Sequence, residues 1–121
     1  MALTIQQIID ASDREVSRVK CPEWGGEVCM LPFSGNDRDW YDQIYSEKRW
    51  PADGKEPDWQ GLRAAAVARA LCDDTGERQA ATEADVLALG SKNGAALDRC
   101  YRALRDASAL HGAADEEAEK N

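Results

Sequence analysis

Residues 16–39, VSRVKCPEWGGEVCMLPFSGNDRD, constrain the fold of this chain more than any other stretch. Apolar and β-branched side chains fall at Val16, Val19 and Cys21 before a Pro-Glu-Trp-Gly-Gly turn and at Val28, Met30 and Leu31 after it, which favours extended backbone in both arms. A hairpin is therefore expected. The glycine pair supplies the positive φ of a tight reversal, and Pro22, with no N–H to donate, suits an edge or the mouth of the turn. The connection is accordingly placed at residues 22–26. After Pro32 closes the second arm, Ser34 can accept from a backbone N–H three residues on while Asp37 reaches back, a capping box that opens a helix.

Thr4 and Gln7 form a similar box for a short helix with Ile5, Ile8 and Ile9 on one face. Ser12 and Glu15 match the same pattern, but the alternation that follows them favours a strand. The helix opened by Ser34 is expected to run from 36 to about 50, with Trp40, Tyr41, Ile44 and Tyr45 at spacings of three and four. That row can pack beneath the hairpin, or part of it can present an aromatic patch, since Trp and Tyr are enriched at interface hot spots. The 51–57 segment, PADGKEP, has a proline at each end and no apolar residue larger than Ala, so it reads as a surface loop. Trp50 and Trp59 flank it, either pinning it to the surface or exposed for binding. Trp40, Tyr41, Trp50 and Trp59 are the candidate partner-binding residues.

A third helix is signalled from Asp58, with Trp59, Leu62, Ala66, Val67, Ala70 and Leu71 on a face of small side-chain volume that allows a neighbouring helix to approach closely. Asp73-Asp74-Thr75-Gly76 ends it as a turn. Two aspartates beside a glycine suggest a calcium loop, but the alternating oxygen ligands and terminal Glu of that loop are missing. Thr82 with Asp85 caps a short helix stopped by Gly90, and Ser91 is expected to open the last helix. In that last helix Leu97, Cys100, Tyr101, Leu104 and Ala107 or Ser108 share a face, while Arg99, Arg102 and Arg105 project elsewhere. Together the elements predict an α+β fold, mainly helical, with an N-terminal β-hairpin packed on a small helical bundle. One domain is expected over residues 1–111 and a flexible, disordered acidic tail over 112–121, either solvated or folded back on the arginines.

With 15 Lys plus Arg against 23 Asp plus Glu the net charge is −8, which argues against general affinity for phosphate backbones or anionic membrane and for a protein partner. MALTIQQIIDAS at the start has neither a basic leader nor a long apolar run, and nowhere are there about 18 consecutive apolar residues. The expected location is the cytoplasm. Cys21, Cys29, Cys72 and Cys100 lack CxxC spacing, so they are read as free thiols filling small apolar sites. Cys21 and Cys29 are nonetheless candidates to face one another across the hairpin and pair on oxidation.

Reaction chemistry has little to work with. His111 is the only histidine and sits beside Gly112 at the end of the last helix, where it would at most favour the helix dipole. There is no Gly-rich phosphate loop, no metal-ligand cluster and no Ser or Cys in a nucleophile context. The expectation is a non-enzymatic protein without metal or cofactor.

A capped N-terminal helix, a hairpin of the form VxVPEWGGEVxV, LSGxxRD opening a helix, LCDxxG and a C-terminal helix make up the layout of the tail assembly chaperones of long-tailed (siphovirus-type) bacteriophages and prophages. This chain resembles that family in CPEWGGEVCM, LPFSGNDRD, ALCDDTGE and TEADVLALGSKNGAALDRCYRAL. The resemblance implies a chaperone that coats the tape measure protein in the host bacterial cytoplasm and keeps it soluble. It also implies recruitment of tail tube protein, self-association, and departure before the virion matures. Two other classes remain open: a minor structural component of the tail, and a nucleic-acid-binding module using the arginines of the last helix.

Overall fold

The computed structural model describes residues 1–110 of the chain. Its elements run in order α1 (Ile5–Asp10), β1 (Ser17–Cys21), a 3-10 turn (Pro22–Trp24), β2 (Gly26–Met30), α2 (Gly35–Arg49), α3 (Leu62–Ala70), β3 (Leu71–Cys72), α4 (Glu83–Gly90) and α5 (Gly94–Ser108). The fold is α+β and mainly helical, with an antiparallel sheet in the order β1-β2-β3. His111 and the acidic tail lie outside the described residues.

The hairpin forms with Ser17 opposite Met30, Val19 opposite Val28 and Cys21 opposite Gly26. Of the two glycines only Gly25 takes a positive φ, +80°, where it ends the 3-10 turn. Gly26 already belongs to β2. Alternation places Val19, Cys21 and Met30 on the face that the helices cover, where they are 7%, 0% and 0% exposed. All three expected capping boxes close: Thr4 with Gln7, Ser34 with Asp37, and Thr82 with Asp85.

Helix α3 is the hub, packing against α2, α4 and α5, while α5 packs against β1. Ala64, Ala66, Ala68 and Ala70 are all buried beside Val67. Small side chains let neighbours close in on several sides rather than on one stripe. Below the hairpin, Met30, Val67, Cys21, Cys100 and Leu104 fill the interior, and every buried side-chain nitrogen or oxygen among the described residues has a hydrogen-bond partner.

Three boundaries differ from expectation. The third helix begins at Leu62 rather than Asp58, because Asp58 instead accepts from the Gln60 backbone N–H (3.1 Å) and Gly61 turns with φ +84°. It also ends at Ala70: Leu71 and Cys72 become β3, paired with Met30 and Cys29. The join is cemented where the Leu31 N–H donates to the Ala70 carbonyl at 2.9 Å. The last helix opens at Gly94 under an Asn93 cap, while Ser91 closes α4 by donating to the Ala88 carbonyl.

The cysteines also sit differently. Alternation puts Cys21 and Cys29 on opposite faces of the hairpin, with Cys29 opposite Arg18. All four are free and buried. The neighbour of Cys21 is Cys100, sulfur to sulfur 3.5 Å, and Cys29 faces Cys72 across β2 and β3.

Candidate partner-binding surface

Helix α2 begins where Asp37 caps it. That carboxylate accepts from the Ser34 N–H (3.1 Å) and from Arg69 Nε (2.9 Å), with Arg14 3.8 Å away. Burial pushes its pKa up, but the hydrogen bonds from Arg69 and Ser34 outweigh this and leave it below the ordinary carboxylate value. The start of α2 is thereby locked to α3, which fixes the bearing of the aromatic row.

The row divides. Tyr41 is 4% exposed and its hydroxyl meets that of Tyr101 at 2.7 Å. It belongs to the core, which corrects its reading as a surface contact. Trp40 is half-buried, edge-on to Phe33 (6.2 Å between ring centres) and covered by the Arg69 guanidinium at 4.8 Å. One turn further along, Tyr45 meets Trp59 with ring centres 4.8 Å apart and planes tilted by 46°. Trp59 is 38% exposed and Trp50 71%.

The loop between them is held at its feet: the Asp58 N–H donates to the Lys48 carbonyl at 2.9 Å, and the Lys48 ammonium donates to the Gln60 carbonyl. So the two tryptophans do different things. Trp59 pins the loop against Tyr45, whereas Trp50 stands out in solvent with the Arg49 guanidinium over its ring, at 5.0 Å. Beside Trp59 lies an open cleft of about 590 Å³, with Ala64, Gly90, Gly94 and Leu97 among its lining residues and Arg63 and Arg102 on its charged side. Glycines there keep the α4–α5 junction low. Gln60 and Asp98 complete a lining that mixes polar and apolar groups, open enough to receive a side chain or a stretch of helix.

The arginines of α5 are engaged. Arg99 grips Glu23 with two bonds (3.1 and 2.9 Å) and reaches the Lys20 carbonyl, tying the hairpin turn to the last helix. That bond holds the Glu23 carboxyl below its ordinary pKa. Arg102 pairs with Asp98 at 2.8 Å, as does Arg63 at 3.1 Å, and Arg105 lies over the Tyr101 ring at 5.7 Å.

Elsewhere, Asp73 accepts from the Thr75 hydroxyl and from the backbone N–H groups of Thr75 and Glu77. The Thr75 hydrogen bond is the chief reason its pKa is lowered. The segment is a turn, closed at Gly76 with φ +89°. Among the described residues no three His, Cys, Asp or Glu side chains converge as a metal site. None of the described helices is long and apolar enough to cross a membrane.

Sequence reasoning passed over Phe33, which contacts both Trp40 and Tyr41, because it sits alone between two capping signals. No protein-family model, curated protein or solved structure matches this chain.

Proposed function

We propose that this chain is a phage tail assembly chaperone that binds the tape measure protein without chemistry, keeps it soluble, and promotes tail tube assembly. One observation carries the reading: an indole at Trp50, 71% exposed, stands on the same loop as Trp59, which walls an open cleft. An exposed indole at one foot of a loop whose other foot walls a groove suits an amphipathic client helix, whose apolar side chains are what must be hidden before assembly. The −8 charge keeps a coated client soluble through mutual repulsion of the coats.

The resemblance in CPEWGGEVCM, LPFSGNDRD and ALCDDTGE supports the same reading. Each segment coincides with a junction of the fold: the hairpin turn, the capped start of α2, and the passage from α3 through β3 into the Asp73 turn. Host cytoplasm is the compartment that goes with this role.

The test is co-expression with the tape measure protein, followed by size exclusion with light scattering. The reading expects a soluble complex containing several copies of this chain per client. A client that precipitates while this chain elutes alone contradicts it and favours a minor structural component, which mass spectrometry of purified virions would then detect.

A further inference from the structure

The cleft beside Trp59 is charged against the trend of the chain. The whole protein carries −8, yet the charged residues that line this cleft are Arg63, Arg102 and Asp98, two cations to one anion. Arg63 comes from α3, whereas Asp98 and Arg102 stand about one turn apart on α5. Arg63 Nε lies 3.1 Å from one Asp98 carboxylate oxygen, and Arg102 Nε lies 2.8 Å from the other. One carboxylate is thus shared by two guanidiniums, and a positive charge is left over.

That charge is accessible. Each arginine spends its Nε on Asp98, and among the described residues no terminal nitrogen of either makes a hydrogen bond. Arg99, by contrast, commits both terminal nitrogens to Glu23. The Arg63 and Arg102 side chains are 59% and 75% exposed. Arg63 is nonetheless aimed, because its guanidinium also lies over the Tyr101 ring at 5.8 Å. Terminal N–H groups held in this way match the two oxygens of an incoming carboxylate. Each arm of the fork has an apolar neighbour in sequence that lines the same cleft, Ala64 beside Arg63 and Leu97 beside Asp98.

We infer that the Arg63–Asp98–Arg102 fork is the carboxylate subsite of the cleft, and that the partner segment is an acidic amphipathic helix. A large aliphatic side chain of that helix lies over Ala64 and Leu97, and an Asp or Glu three or four residues away reaches the terminal guanidinium nitrogens. The charge of the whole chain disfavours a nucleic-acid polyanion, so the fork selects carboxylates carried among apolar side chains. The inference rests on reading the cleft as the seat of a protein partner and adds the chemistry by which a segment is chosen.

A displayed library of alanine-based helices of about 20 residues, randomised along one face and panned against the full chain, supplies the probe. Selected helices should carry Asp or Glu three or four positions from Leu, Ile or Met. With the best binder as a labelled peptide, fluorescence anisotropy should show that replacing its acid by the amide weakens binding roughly fivefold to tenfold, a loss that fades at high salt. R63Q/R102Q should cost about as much and abolish the preference for acid over amide, with unchanged far-UV circular dichroism. D98N separates recognition from support. It removes the competing charge but keeps an acceptor oxygen, so it should tighten the acidic peptide about threefold, whereas a fork that only braces α3 against α5 predicts no gain.

Selected helices without acids, an acid preference that survives R63Q/R102Q, or oligothymidine that competes with the peptide would overturn the inference. So would a D115N/E116Q/E117Q/E119Q chain that binds the acidic peptide tenfold more tightly, which would assign the fork to the chain's own tail. Capture of the tape measure protein is a separate readout. A client held undiminished by R63Q/R102Q sinks the fork alone, while a client never captured sinks the client reading and leaves the peptide measurements to decide the fork.

Discussion

The hydroxyls of Tyr41 and Tyr101 lie 2.7 Å apart, joining α2 to α5 through a buried hydrogen bond. Tyr41→Phe leaves the Tyr101 hydroxyl without that partner and should cost about 1–2 kcal/mol. The Tyr41/Tyr101 double-Phe variant should lose less than the sum of the singles, which chemical denaturation of the four proteins measures. Burial, and then the bond to Tyr101, raises the Tyr41 phenol far above its ordinary pKa of 10.0. The folded state therefore holds this proton where the unfolded chain releases it. Stability should fall as pH rises above about 10, with a shallower fall in Tyr41→Phe.

Asp37 has the opposite linkage. Its folded pKa lies below the ordinary value, so its contribution is complete above about pH 4 and is lost as pH falls through the lower folded pKa. Asp37→Asn keeps a capping oxygen but removes the charge facing Arg69. A loss of about 1–2 kcal/mol at neutral pH is expected, shrinking in acid. Urea midpoints against pH would show a constant difference if the charge were irrelevant.

What the sequence made legible was local. Each capping box pairs a hydroxyl with a side chain three residues on, and the hairpin is flagged by β-branched residues around glycines, so those elements could be read from neighbours alone. Strand β3 is only Leu71 and Cys72, too short for alternation to show, and its backbone partners lie some forty positions away in β2. The aromatic row was visible as a helical face, but which side meets solvent depends on Phe33, Arg69 and Tyr101, which arrive from other elements. The same holds for α1: its apolar face is plain in Ile5, Ile8 and Ile9, whereas its exposure among the described residues is a tertiary fact. The cysteine pairing was misjudged because hairpin register decides which face a residue takes, and one position moves it to the other.

The thiols should be unreactive in the native state. Burial raises the pKa of Cys29 and Cys72, and burial followed by the Cys21 contact pushes Cys100 up to about 12. A free thiol near 8.5 has about three-thousandfold more thiolate at neutral pH than Cys100 has. Aromatic disulfide reagents should label all four only after denaturation. After prolonged air oxidation, peptide mapping should find Cys21 joined to Cys100; a Cys21–Cys29 link would require the hairpin to slip register.

The central claim concerns Trp50 and the cleft walled by Trp59, and the most direct measurement is the amount of soluble tape measure protein captured by wild type, Trp50→Ala and the Trp50→Ala/Trp59→Ala pair. Trp50 is 71% exposed, so its removal should leave the thermal midpoint unchanged while lowering client affinity roughly tenfold or more, as truncation of an aromatic hot spot does. Loss of Trp59 should deepen the defect and also loosen Tyr45. Undiminished capture by the double variant would contradict the assignment of this surface to client binding.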